Sequence, residues 1–156
     1  MLVALTASAA MPSVALAKEG DLTIVRVYTG WRTAASFKRI SEYLDGKENT
    51  GGEAVLRTHP DQRGGFYFLV RTTNPGPSRP VKASLEIITT ANAKPVSYTF
   101  PAELKSGDTV FHLGLTDADW PDPKINPVAW KLDLLDADGR VLASEKSYLW
   151  EKPTTK

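Results

Sequence analysis

Hydrophobic and polar positions alternate with a period of two along most of this chain, the mark of half-buried β-strands. The clearest stretch is Val128 to Trp150. Trp130, Leu132 and Leu134 share one side, and Lys131 and Asp133 the other. Asp136-Ala137-Asp138-Gly139-Arg140 then breaks the pattern with residues that suit a tight turn, and Val141 to Trp150 resumes it. A long C-terminal hairpin is expected, with the other strands packed on it. Further strands are expected at Asp21–Tyr28, Glu53–Thr58, Phe66–Thr73, Lys82–Thr89, Val96–Phe100 and Thr109–Leu115. Phe66–Thr73, rich in β-branched and aromatic residues, is the candidate central strand. Gly30 is expected to end the first strand, leaving Trp31 and Arg32 in a loop. Prolines 75, 77 and 80 bar the Asn74–Pro80 stretch from a helix or an interior strand.

One segment has a different period. Phe37, Ile40 and the Tyr43/Leu44 pair recur every three to four residues, which predicts a helix over about 34–45. Thr33 can cap it, Lys38 and Glu42 can pair across one turn, and Gly46 can stop it. Its apolar stripe is expected to cover an open end or edge of the sheet. The strand spacing, with no βαβ rhythm, argues for an all-β antiparallel sandwich of the immunoglobulin-like kind, with about seven to nine strands and one short inserted α-helix. One domain is expected over 18–156.

Composition narrows the function classes. The hydrophobic fraction of 42% and charged fraction of 24% are those of a folded domain. Nineteen basic and eighteen acidic residues leave a net charge of +1, so the basic excess of a nucleic-acid binder is missing. The absence of cysteine excludes a disulfide scaffold, thiol chemistry and thiolate metal sites. Leu2 to Leu16 is uncharged and apolar, and Ala15-Leu16-Ala17 precedes Lys18-Glu19-Gly20-Asp21. This reads as a secretory signal over 1–17, although no Lys or Arg precedes the apolar run. Pro12 and Ser13 interrupt that run, which falls short of the roughly 20 apolar residues a membrane anchor needs. A secreted or periplasmic domain with no membrane span after cleavage is expected.

Two motifs carry a resemblance. Phe66–Gly76, FYFLVRTTNPG, and Ser97–Leu113, with its Lys-Ser-Gly-Asp turn, resemble the strand-and-turn pattern of bacterial immunoglobulin-like, fibronectin type III-like adhesion modules of the CARDB type. The likeness runs over roughly Gly64 to Trp150, and the Trp31–Gly52 segment departs from the plain module. The resemblance implies a β-sandwich and a role in adhesion or presentation, with no catalytic residues.

Candidate chemistry is sparse. His59 and His112 are the only histidines. His59-Pro60-Asp61 places an imidazole near a carboxylate, as a base and its orienting group require, but the same residues suit a turn. No G-x-S-x-G elbow or HEXXH motif accompanies them. His112 is expected at a surface or edge, its neighbours facing the other way. Asp117, Asp119 and Asp122 put three carboxylates within six residues, with Asn126 just beyond. Calcium takes about six to eight oxygen ligands from such loops, so these residues are a candidate calcium site, or else a solvated loop. Asp136 and Asp138 suggest the same more weakly, lacking the downstream Glu. Among the tryptophans, Trp130 is expected in the core, and Trp150 at the end of the last strand, against the helix. Trp31 and Trp120 can either lid the core or, with Arg32, bind a ligand by stacking on a sugar ring. Three functions follow: a non-catalytic binding or structural module acting through its loops or an edge strand, with a protein or polysaccharide partner; a carbohydrate-binding module using Trp31 and Trp120; and a metal-dependent hydrolase built on the Asp117–Asp122 loop.

Overall fold

The computed structural model describes residues 21–151, so the expected signal at 1–17 lies outside the described residues. The chain forms two four-stranded sheets packed face to face, an all-β sandwich. The first holds β1 (Thr23–Arg32), β3 (Gly65–Asn74), β6 (Gly107–Thr116) and β2 (Ala54–Arg57), in that order. The second runs β5 (Val96–Leu104), β4 (Arg79–Thr89), β7 (Pro127–Leu135) and β8 (Val141–Lys146). Every ladder is antiparallel except β2 with β6, which is parallel.

Period-two patterning sets the core. Phe66, Phe68 and Val70 of β3 and Phe111, Leu113 and Leu115 of β6 are buried, and they meet Leu85, Ile87, Leu132 and Leu134 of the other sheet. Each such side chain contributes about 1.5–3 kcal/mol on leaving water. β3 lies between β1 and β6, the central place expected of it. The Asn74 turn is closed by its own side chain. Its amide donates to the carbonyls of Pro77 (3.0 Å) and Lys105 (3.2 Å) and accepts from the Gly76 N–H (3.2 Å).

Several boundaries differ from expectation. β1 continues past Gly30 through Trp31 and Arg32, which pair with Phe66 and Gly65. The ladder to β3 outweighs the weak strand preference of one glycine. Arg79 and Pro80 open β4, paired with Leu104 and Glu103. β4 has a neighbour on one side only there, because its ladder with β7 begins at Lys82. β8 stops at Lys146. Ser147 closes onto Trp130 through both its N–H and its hydroxyl (2.9 Å each), and Trp150 lies half-buried on a 3₁₀ turn over Tyr148–Glu151. Trp130 packs edge-on against the core residue Phe68, with ring centroids 5.7 Å apart.

The inserted helix is shorter than its periodicity predicts. A 3₁₀ turn covers Ala34–Phe37, capped by Thr33, and a single α-turn, α1, covers Glu42–Asp45 and ends at Gly46 in the left-handed region (φ 69°). Its facing is reversed. Glu42 is buried, while Ile40, Tyr43 and Leu44 are exposed. The expected Lys38–Glu42 pair gives way to a Glu42–Arg63 bond of 2.6 Å. Of the apolar stripe, Phe37 alone meets the sheet, 4.7 Å from the Tyr67 ring.

Candidate functional site

The 33–53 segment covers the outward face of the first sheet and gives it a second buried layer. Tyr67, His112 and Gly114 point away from the core, yet all three are buried. A Cβ on Gly114 would collide with the Tyr67 ring, so glycine there lets the phenol lie flat on β6. Arg57 is the hub of this layer. Its Nε donates to the Tyr67 hydroxyl (2.7 Å), and Nη1 and Nη2 donate to Glu48 (3.0 and 2.7 Å). Its guanidinium also lies over Phe37, whose ring faces Arg32 as well at 3.9 Å. Tyr67 donates onward to the Arg63 carbonyl (2.6 Å). Burial opposes the charge on Arg57, but its bonds to Glu48 and Tyr67 outweigh that and raise its pKa. Burial likewise raises the pKa of the Tyr67 phenol.

Acid should loosen this layer. The Arg63 hydrogen bond holds the Glu42 carboxyl below its ordinary range, and Arg57 does the same for Glu48. The folded chain therefore binds fewer protons than the unfolded chain in that range. The stability these carboxylates supply is fully present above the unfolded value, about pH 4.3. It is lost as pH falls through the lower folded values. Urea midpoints taken downward from neutral pH should fall steeply below that point. The slope should flatten in a Glu42→Gln/Glu48→Gln double variant; an unchanged slope there would assign acid sensitivity elsewhere.

The two sheets gape on the flank where β2 faces β5. A groove of about 620 Å³ lies there, lined by Val55 and Arg57 of β2, Tyr98 to Pro101 of β5, Glu48, Pro60 and Asp119. β2 and β5 are the edge strands of their sheets. Pro101 removes one backbone donor from β5. At one end of the groove His59 Nε2 meets Asp119 Oδ2 at 3.0 Å. Thr116 anchors His59 from beneath: its hydroxyl accepts from the His59 N–H and donates to the His59 carbonyl, both at 3.1 Å. The Thr58 hydroxyl accepts from the Thr116 N–H at 3.0 Å. Partial burial, reinforced by Asp119, raises the pKa of the Tyr98 phenol.

The residues singled out in the sequence fall in three places. Trp31 and Trp120 do converge, lining a hollow of about 360 Å³ with Gln62, Gly64, Asp117 and Pro121. Trp120 is only 3% exposed, stacks on Phe66 at 4.6 Å and donates its indole N–H to the Ile125 carbonyl at 3.2 Å. Arg32 does not join them. Strand alternation sends it to the opposite face, over Phe37 and onto the Ser36 carbonyl (3.3 Å). His59 pairs with Asp119 rather than with Asp61, which is exposed. His112 is buried beneath the inserted segment rather than at a surface, with Nε2 2.9 Å from Glu53.

Asp117, Asp119 and Asp122 have separate environments. Asp117 has a positive φ of 53°, Asp119 meets His59, and Asp122 accepts from the Lys124 N–H at 2.8 Å. Asp136 accepts from the N–H groups of Asp138 and Arg140 (2.9 Å each), as a hairpin turn requires. Among the described residues, no three His, Asp or Glu side chains form a group that could hold a metal ion. No helix among them is long and apolar enough to cross a membrane.

Sequence reasoning missed Glu48, Arg57, Arg63 and Tyr98. Tyr98 had a signal: it shares parity with the buried Phe100 on β5. The charged trio had none, since their partners come from loops distant in sequence. Fold and groove together define a two-sheet β-sandwich with a covered outer face and one open flank. Comparison of the chain with protein-family models, with curated proteins and with solved structures finds no match in any of the three.

Proposed function

We propose that this protein is a non-catalytic recognition module that takes an extended peptide segment into the groove between β2 and β5. The groove itself carries the reading. It is the largest hollow described above, walled by Tyr98, Pro60 and Pro101 with a few charged groups among them, which suits an extended chain. The hydroxyls beside the His59–Asp119 pair, those of Thr58 and Thr116, are engaged with backbone rather than held out as nucleophiles. The export signal read at 1–17 supports a secreted or periplasmic setting. Carbohydrate stacking at Trp31 and Trp120 is the weaker alternative, because Trp120 would have to leave the core to offer a ring face.

Selection of a phage-displayed library of random linear peptides on the immobilised protein tests this. Enriched peptides should lose binding to Thr99→Arg, which fills the groove from an exposed position. Peptides that bind Thr99→Arg equally well, or a soluble polysaccharide panel that binds where peptides do not, would defeat the proposal. So would cleavage of the enriched peptides by the protein.

A further inference from the structure

The groove between β2 and β5 opens onto a second space. Tyr98 and Asp119, which line its His59 end, also line a hollow of about 220 Å³ beyond them, bounded by the β4–β5 turn and the 117–126 loop. The two spaces adjoin, with Tyr98 and Asp119 as the neck. Their chemistry differs. The groove carries Glu48 and Arg57 besides Asp119. The hollow is walled by Ile87, Val96, Trp120, Pro121 and Ile125, and Asp119 is the one charged side chain on its lining. Val96 shares strand parity with Tyr98 and the buried Phe100, so it faces the inner side of its sheet, yet it is 36% exposed. An inward apolar wall is left open here.

We propose that this hollow is the anchor pocket of the groove and takes one large apolar side chain of the extended peptide lying there. The inference rests on the peptide reading and adds the residue that fixes the peptide's position. Size argues for a side chain. The hollow is smaller than the roughly 300 Å³ at which sites for whole small molecules begin. Continuity argues that the side chain belongs to the occupant of the groove. Val96 lies two residues along β5 from Tyr98, about 7 Å, which is one same-side repeat of an extended chain. Charge sets the neighbouring residues. Glu48 is bonded at both oxygens by Arg57, whereas the partner of Asp119 is His59, charged only if protonated. The neck therefore presents a carboxylate, 30% exposed, that suits peptide N–H donors and opposes an acidic residue beside the anchor.

The probes are the linear peptides enriched on the parent protein, each measured against parent, Thr99→Arg and Ala91→Trp. Ala91 is exposed on the rim of the hollow, in a turn whose bonds run between Thr89 and Asn92. Tryptophan there should fill the hollow and leave the melting temperature unchanged. The enriched peptides should share one Leu, Ile, Met or Phe, with no Asp or Glu beside it. Changing that residue to Ser should weaken binding roughly tenfold or more, and Ala91→Trp should weaken the unchanged peptide to the same extent. The Ser peptide should bind parent and Ala91→Trp alike, because both changes remove one and the same contact. Peptides lost on Thr99→Arg but held equally by Ala91→Trp would overturn the anchor pocket and leave the groove reading standing. So would a peptide series in which no single apolar residue matters to the parent, a result that does not depend on how Ala91→Trp folds. Peptides indifferent to Thr99→Arg, or a library that yields none, would remove the groove reading and the anchor with it.

Discussion

Trp120→Ala is expected to destabilise the fold by about 3–5 kcal/mol, the range for emptying a large aromatic site in a core. In a domain of this size that lowers the melting temperature by roughly 10–15 °C. The expectation rests on burial. Only 3% of Trp120 reaches solvent, its ring stacks on Phe66, and its N–H is satisfied by the Ile125 carbonyl. Alanine removes the stack and leaves that carbonyl without its donor. Trp120→Phe should recover much of the loss, falling short by the missing hydrogen bond, worth about 1 kcal/mol, and by the space the smaller ring leaves. Thermal and urea unfolding of both variants read this directly. A Trp120 that served mainly as a sugar platform would behave otherwise: alanine would leave the melting temperature nearly unmoved and abolish polysaccharide binding. The same experiment therefore separates the lid from the ligand site at the end of the sandwich where Trp31 also stands.

The strands were legible because burial on one face writes itself into alternate residues. Phe66, Phe68 and Val70, or Leu132 and Leu134, are sufficient to place β3 and β7. Two kinds of feature were not. Strand ends depend on what lies alongside, so Gly30 looked like a break although the ladder with β3 carries the strand on to Arg32. Local periodicity also cannot say which face of a turn finds a partner. Phe37, Ile40, Tyr43 and Leu44 have helical spacing, but the Glu42 carboxylate fell opposite Arg63, and a buried charge needs its partner more than three apolar residues need cover. The convergence of Trp31 with Trp120, and of His59 with Asp119, is likewise tertiary: each pair joins segments far apart in the chain. The β2–β5 flank is likewise assembled from separate segments, and no single stretch of sequence encodes it.

Arg57→Ala should destabilise the protein by about 3 kcal/mol, near the low end of the roughly 3–5 kcal/mol range for breaking a buried ion pair. The Arg57 side chain is 5% exposed, but Glu48 is 25% exposed and keeps Arg63 at 3.6 Å, which moderates the loss. The substitution also removes one hydrogen bond from Tyr67 and one of the two guanidinium faces that hold Phe37. Its consequences should be uneven across the molecule. The core strands β4 and β7 have no bond to Arg57, so their amide protection should fall only by the global loss. The 33–53 segment is pinned largely through Phe37, Glu48 and Glu42, and it should open locally well before the sheets do. Hydrogen exchange resolved along the chain checks this, with limited proteolysis at Lys38, Arg39 and Lys47 as a second readout. Arg57→Lys should rescue little, because one ammonium cannot bond Glu48 at both oxygens while stacking on Phe37. Uniform loss of protection, with no excess in 33–53, would mean that this segment is held by Arg63 and Glu42 alone. In that case Arg57 would be a residue of the groove rather than the clasp between groove and insertion.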